Sequence, residues 1–341
     1  MRSVLIDAPG HIYLGTRPDP VLPGPDGAII KISASAICGS DLHFYDGDYP
    51  LTEPLALGHE AIGTVVEAGP QVRTVAVGDT VLVSSVSGCG ICDGCSTGDP
   101  VTCISGPVVF GSGALGGAQA DFLAVPAADF QLLAVPEGID TEEALLLTDN
   151  LATGWAGARR ADIPPGGTVV VIGAGAVGLC AVRSAIALGA GTVFAVDPVL
   201  GRRQGAEASG AISIAPPCGE AVMAATGGQG AASVIDAVGS DTSMTEALTV
   251  VRPGGTVSVI GVHDLNPFPF PALMSLVRST TLRMTTAPVQ RTWPELIPLI
   301  QSGRLDTSGI FTHAMPITEA AAAYAAVAAR NAEYLKIMLT P

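Results

Sequence analysis

The stretch Thr168–Gly178 reads TVVVIGAGAVG, an apolar run that leads directly into a glycine-rich turn. Its glycines have the spacing G-x-G-x-x-G and are Gly173, Gly175 and Gly178. In dinucleotide-binding folds, the first permits a tight turn, the second lets the backbone approach a pyrophosphate, and the third lets helix and strand pack closely. A helical stretch, Val177–Leu188, follows, and the unpaired N–H groups around its start, at Ala176 and Val177, would point at the phosphates. A merely tight turn is the alternative.

A second apolar run, Thr192–Val196, ends at Asp197, nineteen residues after Gly178. An acid in this position binds the adenosine ribose hydroxyls, so strand, turn, helix, strand and acid together predict a dinucleotide site. A carboxylate there would repel a 2′-phosphate, which favours NAD over NADP. Arg202 and Arg203 are either solvated helix residues or, alternatively, a site for that phosphate.

The pattern around this turn predicts an α/β protein with two domains. Strand-like runs alternate with helical stretches from about 150 to 286, which is typical of a doubly wound parallel sheet. Residues 1–149 contain short apolar runs separated by Gly, Pro and Asp, which favour a barrel-like or sandwich-like β unit. Near the C-terminus, the stretch Glu319–Ala329 is alanine-rich and predicts a helix with Thr318 as its N-cap.

The charge balance excludes several classes of partner. The chain has 16 Lys and Arg against 31 Asp and Glu, a net charge of −15, and therefore no basic footprint for nucleic acid or anionic lipid. No apolar run reaches the roughly 20 residues of a membrane span, and the N-terminal apolar stretch is short for a signal peptide. We therefore expect a cytoplasmic protein whose seven cysteines are metal ligands or thiols rather than disulfides.

Four of these cysteines have the spacing C-x2-C-x2-C-x7-C; they are Cys89, Cys92, Cys95 and Cys103. Four thiolates without an open position are typical of a closed, tetrahedral structural zinc site. The same ligands could hold an iron–sulfur cluster, and free thiols or disulfides are further alternatives. The loop has little apolar content, so we expect the metal to stabilise it.

Two further segments suggest chemistry: CGSDLH at Cys38–His43, and Gly58-His59-Glu60. Each alone is unremarkable. Together with the four cysteines and the downstream glycine turn, in this order, they resemble the zinc-dependent medium-chain dehydrogenase/reductase family, the alcohol dehydrogenase-like superfamily. The resemblance extends over nearly the whole chain.

The resemblance implies a GroES-like β-barrel catalytic domain over 1–149, with a structural zinc lobe at about 87–104. A Rossmann domain that binds NAD would follow over 150–286. Residues 287–341 would return to the catalytic domain.

It also implies the ligands of a catalytic zinc. Cys38 and His59 correspond to two of them, and Glu60 to the acid that approaches the metal during ligand exchange. The third ligand of the family, often a cysteine, corresponds here to Asp149. A carboxylate can ligate zinc, although Asp149 could instead be a helix N-cap.

Ser40 and His43 correspond to a relay that carries the alcohol proton to solvent, because a hydroxyl and an imidazole can both accept and donate protons. A helix cap and a surface histidine are the alternatives. Other cofactor contacts rest on family position alone; they are Thr153, Val238, Gly261 and Val262 near the nicotinamide, and Lys336 at the pyrophosphate. Lys336 could equally be a solvated lysine, Cys180 is expected in the core, and Cys218 has no assigned role.

The implied activity is reversible, NAD-linked hydride transfer between a small alcohol and its carbonyl compound, with two zinc ions per chain. A secondary alcohol is our first expectation. Polyol, threonine and formaldehyde dehydrogenase-like activities are alternatives within the family. A redox sensor that binds NAD and zinc without turnover is an alternative of another class. The resemblance further implies a homo-oligomer, either a tetramer or a dimer.

Overall fold

The computed structural model describes residues 1–341. Its strands, in chain order, are β1 (Arg2–Ala8), β2 (His11–Thr16), β3 (Ala28–Ala36), β4 (Leu55–Ala56), β5 (Glu60–Ala68), β6 (Thr80–Val83), β7 (Val86–Ser87), β8 (Val108–Val109), β9 (Phe122–Val125), β10 (Leu132–Ala134), β11 (Thr168–Ile172), β12 (Thr192–Val196), β13 (Ile212–Ile214), β14 (Ala231–Asp236), β15 (Val251–Val259), β16 (Thr281–Met284), β17 (His313–Pro316) and β18 (Ile337–Thr340).

The α-helices are α1 (Leu42–Asp46), α2 (Asp93–Ser96), α3 (Ala128–Gln131), α4 (Thr141–Thr148), α5 (Asn150–Arg160), α6 (Ala176–Ala187), α7 (Leu200–Ala208), α8 (Gly219–Ala225), α9 (Asp241–Val250), α10 (Ala272–Val277), α11 (Val289–Gln301) and α12 (Ala320–Ala328). Short 3-10 segments lie at Gly39–Asp41, Pro100–Thr102 and Ile317–Glu319. No helix combines the length and the apolar character that crossing a bilayer requires.

The chain forms two compact units. The first contains Met1–Ala152, Pro288–Gly303 and Thr307–Pro341, and the second contains Thr153–Ala287 with Arg304–Asp306. In the first unit, a seven-stranded sheet has the order β10-β6-β5-β3-β18-β17, with β9 also paired to β3. The C-terminal strands β17 and β18 thus complete a sheet that N-terminal strands begin. Its buried core is built from alternate residues of β3, β5 and β6.

The second unit is a six-stranded parallel sheet of order β13-β12-β11-β14-β15-β16. Its central strands are buried along most of their length, because helices cover the sheet and supply apolar partners such as Val222 and Leu248. The strand order reverses between β11 and β14, and ligands of such sheets bind at the carboxyl ends of strands at this switch point. The predicted α/β class, with a GroES-like β unit and a Rossmann unit, is confirmed.

The predicted N-cap at Thr318 is wrong. Thr318 lies inside the 3-10 segment that begins after Pro316, and α12 begins at Ala320 with Glu319 preceding it. The proline already fixes an extended backbone before the turn, with φ −66° and ψ 148°, so the chain enters its first helical turn before the threonine.

Candidate metal and cofactor sites

A cluster of four potential ligands forms where the sheet of the first unit meets helix α4. One ligand atom from each of Cys38, His59, Glu60 and Asp149 lies within 4.8 Å of the others. Strands β3 and β5 are antiparallel with Ala36 opposite Glu60, so the residues just beyond this pair come together. Asp149 joins them from the junction of α4 and α5.

A glycine is needed to bring His59 into this position. Gly58 has φ +95°, and a Cβ on it would lie 2.5 Å from Cγ of Gln119. Any other residue would therefore combine backbone strain with a clash. On the opposite strand, Cys38 precedes the 3-10 turn Gly39–Asp41, and its backbone N–H donates to Oδ2 of Asp41 at 3.0 Å.

The donor atoms suit zinc. Oδ2 of Asp149 lies 3.4 Å from Sγ of Cys38 and 3.3 Å from Nε2 of His59. Cys38, His59 and Glu60 are buried, and Oε2 of Glu60 is a buried oxygen without a hydrogen-bond partner. A thiol, an imidazole and carboxylates in so small a volume match zinc's preference for sulfur, nitrogen and oxygen ligands.

Burial and close contact between ionisable groups shift the pKa values within the cluster. Burial, reinforced by the Asp149 carboxylate, raises the pKa of the Cys38 thiol. Burial would also raise the pKa of Asp149, but the hydrogen bond and charge of His59 prevail and lower it to about 2. Burial would lower the pKa of His59, but the nearby carboxylates raise it well above its ordinary value. A divalent cation would replace the protons that these groups otherwise share.

Four residues that support the cluster were not predicted as site residues. Oδ1 of Asp41 lies 3.3 Å from Nδ1 of His59, and Nε2 of Gln119 lies 3.5 Å from Oδ2 of Asp41. The buried Tyr324 hydroxyl donates to Oε1 of Gln119 at 2.9 Å. The fourth is Asn150, described below. Asp41 and Asn150 adjoin predicted ligand motifs and could have been found there, because metal-bound histidines and carboxylates usually have hydrogen-bond partners. Gln119 and Tyr324 gave no local signal.

Lys336 does not lie with the predicted cofactor residues in the second unit. It is 1 % exposed in the first unit, and its ammonium donates to Oε1 of Glu60 at 2.8 Å and to the Ile37 carbonyl at 3.3 Å. It is therefore not the solvated lysine considered above. That Lys336 contacts a pyrophosphate stays a prediction.

The two predicted relay residues lie just beyond Cys38. Ser40 is inside the 3-10 turn rather than at its cap, since Cys38 is the cap. His43 lies in α1, with Nδ1 2.8 Å from Oδ2 of Asp48 and its ring stacked on Tyr49 at a centroid distance of 5.0 Å. Neither belongs to the cluster of four ligand atoms.

The second cluster is the four-cysteine lobe. All four sulfurs lie within 4.8 Å of one another, and no cysteine of the chain forms a disulfide, so the disulfide alternative is not seen. Backbone N–H groups of Cys95 and Ile104 lower the pKa of Cys92 to about 6, whereas burial raises the pKa of Cys95 to about 12. The lobe packs on α11 at Gly98, where a Cβ would lie 2.9 Å from the Cα of Arg291.

The glycine turn lies at the switch point of the parallel sheet. Gly173 has φ +91°, and a Cβ on Gly178 would lie 1.9 Å from the Gly173 carbonyl oxygen, so both positions require glycine. Gly175 precedes α6, and a Cβ there would meet nothing within 4 Å. This open space above the backbone is what the approach of a phosphate needs.

The side chain of Asp197, which follows β12, contacts the turn that follows β11. It is 3 % exposed; Oδ2 accepts from the Ala174 N–H at 2.9 Å and Oδ1 from the Val199 N–H at 2.8 Å. Arg203 donates to the carbonyl oxygens of Asp197 and Pro198 at 2.8 and 2.9 Å. The carboxylate therefore braces the glycine turn as well as ending β12.

The remaining predicted cofactor residues all lie in the second unit. Thr153 is a buried residue of α5, and Arg202 is partly buried on α7. Val238 and Gly261 follow β14 and β15, at the carboxyl ends of these parallel strands, and a Cβ on Gly261 would lie 2.2 Å from the Val238 carbonyl carbon. Val262 follows and is exposed, as is Val238.

Comparison with known proteins identifies the family. Residues 24–137 match the alcohol dehydrogenase GroES-like domain, and residues 176–302 match the zinc-binding dehydrogenase domain. A probable zinc-binding alcohol dehydrogenase of Mycobacterium tuberculosis is 67 % identical over 341 residues, which is 100 % of this chain and 89 % of that protein.

Solved structures agree. An alcohol dehydrogenase from Thermus sp. ATN1 has a TM-score of 0.92 at 34 % identity, over 100 % of this chain and 99 % of that one. An Escherichia coli alcohol dehydrogenase solved with NADH has a TM-score of 0.87 at 26 % identity, and a zinc-binding dehydrogenase of Sinorhizobium meliloti bound to NADP has 0.84 at 27 %; each covers 100 % of this chain and 99 % of its own. The chain therefore belongs to the zinc-dependent medium-chain dehydrogenase/reductase family, among the zinc-binding alcohol dehydrogenases.

Proposed function

We propose that this protein is an NAD-dependent alcohol dehydrogenase with one catalytic and one structural zinc ion per chain. The observation that carries the proposal is the largely buried cluster of Cys38, His59 and Asp149, in a chain that also has the glycine turn at a switch point. A secondary alcohol, or its ketone in reverse, is the proposed substrate class.

Cys38, His59 and Asp149 would hold the catalytic zinc. When bound, zinc supplies Lewis-acid activation of the alcohol oxygen, and the nicotinamide supplies the hydride acceptor. Asp41 faces Nδ1 of His59, which fixes the imidazole tautomer so that Nε2 presents a lone pair to the cluster. Glu60 adds a carboxylate that can neutralise charge beside the metal.

The alcohol proton would leave through Ser40 and His43. When Nδ1 of His43 carries a proton, it can donate a hydrogen bond to Oδ2 of Asp48. Nε2 of the ring is then left for proton exchange. The stacked Tyr49 limits rotation of the ring. The residues of the chain would thus hold and move the proton, while zinc would supply Lewis-acid activation and the nicotinamide the hydride acceptor.

The cofactor would be NAD rather than NADP. Asp197 places a carboxylate at the end of β12, and a 2′-phosphate there would be repelled. The guanidinium of Arg203 is already engaged by two backbone carbonyls, which argues against its use as a phosphate ligand. Ala176, Val177 and the three glycines would bind the pyrophosphate, with Thr153, Val238, Gly261 and Val262 near the nicotinamide.

The four cysteines would hold the structural zinc, because four thiolates leave no position for a substrate. Two zinc ions per chain are therefore expected, and metal analysis of the purified protein by mass spectrometry checks the number.

An exposed apolar surface favours a homo-oligomer. Helix α10 and the segment before it expose large apolar side chains, namely Leu265, Phe270, Leu273, Met274, Leu276 and Val277. Soluble monomers rarely expose so many apolar side chains side by side. Another copy of the chain would cover them, as a dimer or a tetramer. Sedimentation velocity of the wild type and of Leu276→Asp tests this, and a monomeric wild type would contradict it.

The substrate is tested with a panel of primary alcohols, secondary alcohols, polyols, threonine and formaldehyde, each with NAD and with NADP. We expect the highest kcat/KM for a secondary alcohol with NAD. A preference for polyols, threonine or formaldehyde would assign another activity within the family. Absence of turnover with both zinc ions bound would exclude every substrate class in the panel.

A further inference from the structure

Asn150 lies directly after the proposed zinc ligand Asp149, at the start of α5, and is 1 % exposed. Its side-chain Nδ2 lies 3.1 Å from Oδ2 of Asp149, 3.1 Å from Oε1 of Glu60 and 3.7 Å from Sγ of Cys38. One neutral amide nitrogen therefore contacts three of the four groups in the cluster.

The chemistry of an amide suits this position. Its NH2 group has two N–H bonds, so it can donate to two acceptors at once. The carboxylates of Asp149 and Glu60 lie close together in a largely buried volume, where like charges repel strongly. A donor between them stabilises both as acceptors without adding charge.

The same contacts orient each carboxylate. Glu60 accepts through Oε1 from both Asn150 and Lys336, so Oε2 is left without a partner. Asp149 directs Oδ2 toward Cys38 and His59, while Oδ1 lies 3.5 Å from the Ser85 hydroxyl. A carboxylate has two equivalent oxygens and a torsion that a thiolate lacks, so an aspartate ligand needs this kind of orientation.

We propose that Asn150 is a positioning residue of the catalytic metal centre. It fixes Asp149 for metal binding, and it restrains Glu60 through Oε1, which leaves Oε2 without a partner. The proposal rests on the proposed zinc site. Asn150 itself touches neither metal nor substrate in this account; it acts through the two carboxylates.

The test uses two variants without donors, Asn150→Leu, which keeps the branched shape of the side chain, and Asn150→Ala, which avoids overpacking. The control is Thr148→Val, because Thr148 is also buried next to Asp149 but its hydroxyl donates only to the Leu145 carbonyl of its own helix. Wild type and all variants are prepared with zinc bound in the four-cysteine lobe. Zinc affinity at the catalytic site is then measured by competition with a chromophoric chelator.

Removing the hydrogen-bond partner of a metal ligand lowers metal affinity about 10- to 100-fold. We therefore expect zinc affinity to fall by about 10- to 100-fold in both Asn150 variants, and by less than about twofold in Thr148→Val. Cobalt placed at the catalytic site should show shifted visible bands in the Asn150 variants, which a change in global stability would not produce. Wild-type affinity with an unchanged cobalt spectrum in either Asn150 variant would overturn the proposal. A wild type that binds no zinc outside the lobe would overturn the proposed function and this inference with it.

Discussion

The Lys336 ammonium lies 2.8 Å from the Glu60 carboxylate, and both side chains are buried, with exposures of 1 % and 0 %. They are 276 residues apart in the chain and meet because β18, which begins just after Lys336, pairs with β3. Burial opposes the charge on each group, yet Glu60 keeps the pKa of Lys336 above its ordinary value. Lys336 thus supplies a positive charge beside a cluster of acids.

Replacing Lys336 alone should lower the free energy of unfolding. In Lys336→Met, the buried Glu60 carboxylate loses its ammonium partner, and breaking a buried pair in this way costs about 3–5 kcal/mol. We expect a decrease of this size in the free energy of unfolding of the zinc-loaded protein, measured in urea. The double variant Lys336→Met/Glu60→Gln should recover most of it. A single variant within 1 kcal/mol of wild type, on the scale of exposed pairs, would contradict the account.

The aspartate ligand is tested by Asp149→Ala and Asp149→Cys. Lewis-acid activation contributes several kcal/mol to the barrier, so turnover of Asp149→Ala should fall at least about 100-fold, with NAD binding retained. Asp149→Cys supplies a thiolate of the same formal charge, and we expect it to keep the zinc. Fluorescence titration with NADH and metal analysis separate the two effects. An unchanged rate in Asp149→Ala would remove this residue from the mechanism.

The Tyr324 hydroxyl should affect zinc affinity at the catalytic site, although it lies outside the ligand cluster. Tyr324→Phe leaves Oε1 of the buried Gln119 without its donor, at a cost of about 1–3 kcal/mol in unfolding free energy. Because Gln119 contacts Asp41, and Asp41 faces His59, zinc affinity at the catalytic site should also fall. The control is Tyr45→Phe, which removes the hydroxyl of the ring stacked on Tyr324. Equal behaviour of the two variants would show that the hydrogen bond has no such role.

The structural lobe gives a prediction on metal content. Cys95→Ser should lose one zinc ion per chain and lower the melting temperature, because the lobe depends on metal for its stability. Cys180→Ala removes a buried thiol outside both clusters and should keep two zinc ions. If Cys95→Ser retained both ions, the four cysteines would not be a single site.

His263 gives the pH prediction. Hydrogen bonds to the Asp264 carbonyl and the Asp241 carboxylate raise its pKa. A raised pKa in the folded state means that its stabilisation is fully present below the unfolded value of about 6.5, and is lost as pH rises through the folded pKa. Wild type should therefore exceed His263→Gln in stability at pH 6 by up to about 1 kcal/mol, with the difference gone at pH 9. Asp241→Asn should weaken this dependence, and a difference that grew with pH would contradict the assignment.

The elements that sequence predicted best are those whose signal is local. The strands Thr168–Ile172 and Thr192–Val196 were predicted at their observed ends, because buried parallel strands are continuous apolar runs bounded by turn residues. The cysteine spacing and the segment around His59 are likewise contiguous, and the ligands they predict do lie together. Asp149 was placed by family position rather than by a local pattern.

The residues that were missed depend on tertiary pairing. Gln119 and Tyr324 are 205 residues apart and meet only through the packing of α12 within the first unit. The burial of Lys336 follows from the position of β18 beside β3, which no periodicity near Lys336 indicates. Sequence patterns report which face of an element is apolar, but they do not specify which distant polar side chain will be needed there.

Removing and restoring the catalytic metal tests whether the zinc held by Cys38, His59 and Asp149 is the one that turnover requires. The purified protein is assayed for reduction of NAD by a secondary alcohol, then treated with a chelator until one of two zinc ions per chain is lost, and finally reloaded with zinc. We expect turnover to disappear with this ion, to return on reloading, and not to return in Asp149→Ala. Alcohol-dependent reduction of NAD that persists with Cys38, His59 and Asp149 free of metal would contradict it.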